Sequence, residues 1–131
     1  MILLDTHVWI WLAIEPKRLS RPAAAAVRKA ADSGGISIAS ISLWELAMLF
    51  TQGRLRAPGT IESSVRTMVE ETRAIVHEIT PEIAALATAF GDDYSQDPAD
   101  RLIGATARSL GLPLVTRDQR ILDSALLKTI W

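Results

Sequence analysis

The chain opens with Met1-Ile2-Leu3-Leu4, four consecutive apolar residues, and then turns polar at Asp5-Thr6-His7. So short an apolar run, bounded at once by polar residues, fits a strand buried on both faces, as in the middle of a parallel sheet. Val8-Trp9-Ile10-Trp11-Leu12 follows as an amphipathic helical segment with Thr6 as its expected N-cap. A carboxylate therefore stands where a buried strand ends and a helix begins. In open α/β sheets that edge, beyond the carboxyl ends of the strands, is where ligands bind. On this stretch alone, Asp5 as a helix cap and Asp5 as a site residue are both open.

The same alternation continues to the end of the chain. Ser20 caps and Pro22 starts a helix running to about Asp32, rich in alanine and closed by Ser33-Gly34-Gly35. Ile36-Ser37-Ile38-Ala39 reads as a second strand, and Ser40 or Ser42 caps a helix over Leu43–Phe50 that carries Glu45 in its first turns. Ile61, Val65, Met68 and Val69 keep helical spacing between Thr60 and Thr72. Ala74–Ile79 is the third expected strand, and Thr80-Pro81-Glu82 opens a helix through Phe90. After a loop at Gly91–Gln96, Asp97 is the expected cap and Pro98 the first residue of a helix stopped by Gly111. Leu114-Val115-Thr116 forms a fourth strand ending on Thr116-Arg117-Asp118. A short helix then spans about Gln119–Ser124, and Leu126–Ile130 suits an edge strand. Strands alternating with helices predict a parallel sheet sandwiched by helices and joined by right-handed crossovers.

Composition narrows the class. At 131 residues, 49% hydrophobic and 22% charged, the chain is one globular domain's worth of sequence. No apolar run approaches the ~20 residues of a spanning helix, and the Met1–Leu4 run lacks the basic flank and length of a signal peptide, so a cytosolic protein without membrane contact is expected. Cysteine is absent, which excludes disulfides and thiolate metal sites. Lys and Arg total 14 against 15 Asp and Glu, so any nucleic-acid contact has to come from a local basic patch.

Four carboxylates share one kind of position. Asp5 ends the first strand, Asp118 lies just past the fourth, and Glu45 and Asp100 sit near the starts of helices. All strand-to-helix junctions of a parallel sheet emerge on one edge, so these acids can converge. Taken singly, each has an ordinary explanation, since the macrodipole favours acids in any first helical turn by ~0.3–1 kcal/mol. Together they say more. Glu45 is embedded in Leu43-Trp44-Glu45-Leu46-Ala47, and Asp97 already serves as a cap, leaving Asp100 free to face elsewhere. Clustered carboxylates repel unless cations neutralise them. An all-oxygen ligand set suits Mg²⁺ or Mn²⁺, the ions used to activate water for phosphodiester hydrolysis.

Leu3-Leu4-Asp5-Thr6-His7, Ser42-Leu43-Trp44-Glu45, Asp97-Pro98-Ala99-Asp100-Arg101-Leu102-Ile103 and Leu114-Val115-Thr116-Arg117-Asp118 resemble, in order, the four blocks of a PIN domain. More closely, the chain resembles the VapC toxins of bacterial type II toxin–antitoxin modules, and the resemblance covers residues 1–131. It implies a three-layer α/β/α fold with a mainly parallel sheet, and an endoribonuclease dependent on Mg²⁺ or Mn²⁺. It also implies a homodimer, and a VapB-type antitoxin whose C-terminal segment blocks the site in a higher assembly. Asp5 and Asp100 match the principal metal ligands, and Glu45 and Asp118 the other two acids. Thr116 matches a supporting hydroxyl, with Thr6 and Asp97 beside the block acids. A PIN-type RNA-processing nuclease without an antitoxin would carry the same acids. A phosphate-accepting response-regulator module would need a lysine after a late strand, and no lysine occurs between Lys29 and Lys128.

Other residues suggest lesser roles. His7 is close to Asp5 but is read as supporting at most, and His77 as structural. Trp9 and Trp11, two apart on a helix, cannot both face the core. The exposed one suits stacking on a base or, the reading preferred here, contact with a partner protein. Among Arg54, Arg56, Arg101, Arg117 and Arg120, Arg101 and Arg117 adjoin expected ligands and are the expected RNA-backbone contacts.

Overall fold

The computed structural model describes residues 1–131. Thirteen elements follow one another: β1 (Ile2–Leu4), α1 (Thr6–Ile14), a 3₁₀ turn (Pro16–Arg18), α2 (Arg21–Ala31), β2 (Ile36–Ala39), α3 (Ile41–Thr51), α4 (Ile61–Thr72), β3 (Ile75–His77), α5 (Pro81–Thr88), α6 (Pro98–Leu110), β4 (Leu114–Val115), α7 (Gln119–Leu122) and β5 (Thr129–Ile130). The strands form one sheet in the order β3-β2-β1-β4-β5, with every pairing parallel. β1 is central, with Leu3 opposite both Ser37 and Leu114. The ladder runs one residue past the strand, because the Asp5 amide donates to the Val115 carbonyl at 3.0 Å.

Alternate side chains of β1 feed two separate apolar cores. Ile2 and Leu4 point into a layer built with Val8, Trp9, Ala23, Leu46 and Met68, and thus with α1–α4. Leu3 points the other way, against Ile83, Phe90, Ile103 and Ile121 of the α5–α7 side. This makes the three-layer α/β/α arrangement that the alternating sequence predicts. Trp9 is fully buried and its indole N–H donates to Thr72 Oγ1 at 2.9 Å, tying α1 to α4.

Several expected boundaries move. α1 starts at Thr6 rather than after it: Asp5 is the N-cap, its Oδ1 accepting the Thr6 amide at 2.9 Å. The Asp5 carboxylate at the strand end takes the cap, which leaves the Thr6 hydroxyl for another contact. α3 likewise starts at Ile41, and neither serine caps it by a side-chain bond; Ser42 is buried inside the helix, and Glu45 falls in the second turn. The third strand shrinks to three residues and the last to two, since an edge strand pairs only where its neighbour reaches it. No helix is long and apolar enough to cross a membrane.

One steric fit fixes α6, the helix that carries Asp100. Phe90 and Tyr94 stack with centroids 4.0 Å apart, and the pair packs over Gly104, where an added Cβ would collide with the Tyr94 hydroxyl and approach Phe90 Cζ to 3.0 Å. Both rings are buried. Gly104→Ala should therefore destabilise the protein by about 1–3 kcal/mol through overpacking. The ordinary helix-propensity gain from Gly to Ala is about 1 kcal/mol and of opposite sign. Urea unfolding of the two proteins measures the balance, and a more stable Ala variant would show that the rings yield.

Candidate functional site

Strand order reverses at β1, because the chain moves to β2 and β3 on one side and later to β4 and β5 on the other. The gap between the carboxyl ends of β1 and β4 is therefore the switch-point crevice of an α/β sheet. Asp5 and Asp118 border it from these two strands. Glu45 reaches it from α3, and Asp97 and Asp100 from the start of α6. All five line one cleft of about 390 Å³. Larger and more apolar grooves exist, such as one of about 610 Å³ bordered by Ile14, Phe50 and Leu55, but none gathers acids in this way.

Asp5 is 8% exposed and held through both oxygens. Oδ1 takes the Thr6 amide, and Oδ2 accepts the Thr116 hydroxyl at 2.7 Å. It thus caps α1 and lines the cleft at once. Burial raises its pKa, against the lowering effect of the Thr116 and Thr6 hydrogen bonds. Glu45 is partly buried and accepts a hydrogen bond from the Thr6 hydroxyl, which also lies 2.7 Å from Ser42 Oγ. Burial, followed by the charges of Asp5, Asp100 and Asp97, pushes Glu45 up to about 7. Asp100 accepts the Ser95 hydroxyl on Oδ2 at 2.6 Å. Its pKa is raised to about 6, again mainly by burial and then by Asp5, Asp97 and Asp118.

Asp97 and Asp118 combine two duties. Asp97 caps α6 by accepting the Ala99 amide at 2.8 Å, and Asp118 caps α7 by accepting the Arg120 amide at 2.9 Å, yet both face the cleft. Asp118 is also anchored by its own amide, which donates to Thr116 Oγ1 at 3.1 Å. The Thr116 hydroxyl thus links the two strand-end acids.

The two arginines expected to meet RNA part company. Arg117 is exposed on the cleft wall. Arg101 is not available for a substrate: its guanidinium donates to the carbonyls of Ser95, Phe90 and Gly91 at 2.9, 2.8 and 3.1 Å. Arg101 is the next residue after Asp100, about 100° further around α6, and this turns it from the cleft toward the 90–96 loop. Arg56 borders the apolar groove rather than the cleft. His7 is exposed at the cleft, and His77 ends β3 with Nε2 buried and unpartnered, its pKa lowered by burial. Trp9 is the core tryptophan and Trp11 the partly exposed one, in the cleft wall. Ser42 and Ser95 also belong to the site. From sequence Ser42 is only a candidate cap and the start of a block, and Ser95 only a loop residue, because a serine at a helix start or in a loop looks like any other.

The donor set is all oxygen, which fits a hard divalent cation. No three of these side chains close around a single ion as a preformed cage. Ions such as Mg²⁺ keep several waters and take one or two carboxylates directly, so they do not require such a cage. Asp5, Glu45 and Asp100 each have one oxygen fixed by a hydroxyl donor, from Thr116, Thr6 and Ser95 in turn, and the excess negative charge of the cleft is what such an ion would neutralise.

Comparison with known proteins points the same way. The family model described as PIN domain matches residues 2–125. Ribonuclease VapC22 of Mycobacterium tuberculosis is 41% identical over 120 residues, 92% of this chain and 88% of that protein. Among solved structures, VapBC2 from Rickettsia felis, bound to a DNA fragment from its promoter, superposes with a TM-score of 0.68 at 16% identity, covering 98% of this chain and 97% of that one. A toxin–antitoxin complex from Klebsiella pneumoniae gives 0.65 at 21% identity, covering 97% and 95%. At these identities the structures share the fold.

The raised carboxyls make stability depend on pH in a definite direction. A carboxyl whose folded pKa exceeds its unfolded value binds its proton more tightly when folded, so its stabilising contribution is full below the unfolded pKa and is lost as pH rises through the folded one. For Glu45 that window runs from 4.5 to about 7, and for Asp100 from 3.8 to about 6. The metal-free protein should lose this contribution to its urea midpoint progressively between about pH 4 and about pH 7. Subtracting the same curve for a Glu45→Gln, Asp100→Asn variant removes the opposing titration of His77. Identical curves for the two proteins would show that the acids are not crowded.

Proposed function

Because the chain belongs to the PIN-domain family and is related throughout most of its length to a VapC ribonuclease, we propose that it is a divalent-metal-dependent endoribonuclease, the toxin of a toxin–antitoxin pair. The observation that carries this is the convergence of Asp5, Glu45, Asp97, Asp100 and Asp118 on one cleft, with Asp5, Glu45 and Asp100 all raised by burial. Residues 1–131 act as one PIN domain on RNA in the cytoplasm. A VapB-type antitoxin is the inhibiting partner, and the working form is a homodimer that enlarges when the antitoxin joins.

Asp5 and Asp100 would hold the cation, Mg²⁺ or Mn²⁺, and Glu45 and Asp118 would complete the site. When bound, the cation offsets the charge of the phosphate and lowers the pKa of a water molecule. The chain's own part is to hold oxygens in place before substrate arrives. Thr116 fixes Asp5 and the backbone of Asp118, Thr6 fixes Glu45, and Ser95 fixes Asp100. Without metal, burial and the charges of Asp5, Asp100 and Asp97 hold Glu45 up at about 7, so a cation at this cluster would favour its ionised form. Hydrolysis adds water across the phosphodiester: a new P–O bond forms, the bridging P–O bond breaks, and the departing oxygen is protonated. No side chain needs to act as nucleophile.

Cleavage of total cellular RNA in Mg²⁺ or Mn²⁺ tests the reading. Wild type should give discrete fragments that vanish with EDTA, and Asp5→Ala and Asp100→Asn should both be inactive yet folded. Full activity in either variant would sink the assignment of the acids. Thr116→Val should leave the four acids in place but weaken the apparent metal affinity by ~10–100-fold, as losses of groups that orient metal ligands do. A metal titration of activity reads this, and an unchanged midpoint would mean that the Thr116 hydroxyl only packs.

A further inference from the structure

We propose that Trp11 is a positioning residue for RNA: its indole holds the guanidiniums of Arg117 and Arg18 beside the acidic cleft, where the two bind successive backbone phosphates next to the one that is cut. This rests on the ribonuclease reading above and gives it a binding surface. The cleft poses an electrostatic difficulty that its acids cannot solve. Five carboxylates line it, against two basic side chains, Arg117 and His7, and a polyanion has to enter. A cation at the catalytic centre neutralises only the centre, so the strand on either side needs charge supplied by the chain.

Arg117 is suited to supply it. Although it precedes Asp118 in sequence and stands among acids, it forms no ion pair and no side-chain hydrogen bond; its guanidinium carbon lies 5.9 Å from the centre of the Trp11 ring. Arg18, from the 3₁₀ turn after α1, lies over the same indole at 4.4 Å. Its only ion pair, with Glu15 at 3.7 Å, is exposed at both ends, and such pairs are weak and easily exchanged. A guanidinium over an indole is held by the ring while its N–H donors remain free at the edges, an arrangement that leaves them for phosphate. Arg101 shows the contrast, since its donors are already spent on carbonyls.

The indole is itself braced. Trp131, which follows β5, packs against it with centroids 6.0 Å apart at 55°, and His7, one turn back on α1, lies at 6.2 Å and 52°. Trp11 thus joins an apolar core on one side and the cleft on the other. Because both arginines share one ring, successive phosphates of a single strand can engage both.

The test is the salt dependence of binding to a fluorescent single-stranded RNA of mixed sequence, at fixed Mg²⁺, in the Asp100→Asn background, which binds without cutting. For single strands, log affinity against log salt changes by about 0.7 for each phosphate contact. Arg117→Ala and Arg18→Ala should each reduce the slope by about 0.7. Trp11→Leu, which removes no charge, should reduce it by about 1.4, and Trp11→Phe should restore most of it. A Trp11→Leu protein that binds more weakly with the parental slope would mean that a base stacks on the indole directly, and would overturn the proposal. If Trp11→Leu does not fold by circular dichroism, the Arg18→Ala, Arg117→Ala double variant decides, and an unchanged slope there overturns it. Cleavage of the same RNA by wild type is measured in parallel. Cleavage with unaltered slopes removes the arginine rail alone, whereas neither cleavage nor binding by wild type removes the ribonuclease reading as well.

Discussion

A carboxylate buried at the end of the central strand sets the terms for everything around it. Asp5 cannot move, because the Ile2–Leu4 strand is hydrogen-bonded on both sides and its own amide continues the ladder to Val115. Nor can it be left unpartnered, since a buried ionised group without donors is costly. The Thr6 amide and the Thr116 hydroxyl meet that need from two different elements. Each donor then does a second thing: helix α1 starts where its first amide is taken, and Thr116 receives the Asp118 amide. A local requirement for hydrogen bonds therefore brings α1, β4 and α7 into register around one point.

The other acids are tuned by a balance between burial and hydroxyl donors. Thr6 supports Glu45, and Ser95 supports Asp100, yet burial still raises both. The protein keeps these carboxyls at an energetic cost that a hydrophobic residue would avoid. Such retained crowding is the mark of a site rather than of a core. Arg101 adds to it from behind, holding three carbonyls of the 90–95 segment and so fixing the loop from which Ser95 and Asp97 project.

Much of this was legible in the sequence, and the reasons are specific. The unbroken apolar run before Asp5 marks a central parallel strand, and the Asp97-Pro98 start and Gly111 stop bracket α6 closely. Because parallel strands all release their chain on one edge, four acids at strand-to-helix junctions were expected together, and the structure brings them to one cleft. What escaped were partners across distance. Nothing local says that Thr6 meets Ser42 and Glu45, which lie 36 and 39 residues away. Capping preference is also ambiguous where Asp and Thr adjoin, hence the misplaced start of α1. Arg101 and Arg117 look alike in sequence, each next to an acid. Their fates differ because a helix face turns inward while a strand-end loop stays open.

The bond between Thr116 and Asp5 spans 111 residues, and this separation has a meaning in time. A ribosome makes Asp5 well before Thr116, with 111 residues of sequence separation between them. Until β4 is released, the central strand lacks one neighbour, Asp5 lacks its hydroxyl donor, and Asp118 is not yet in place. The four blocks can thus come together only after the segment from Asp5 to Asp118 has emerged and closed, so this cleft is a property of the folded domain and of no shorter stretch of it.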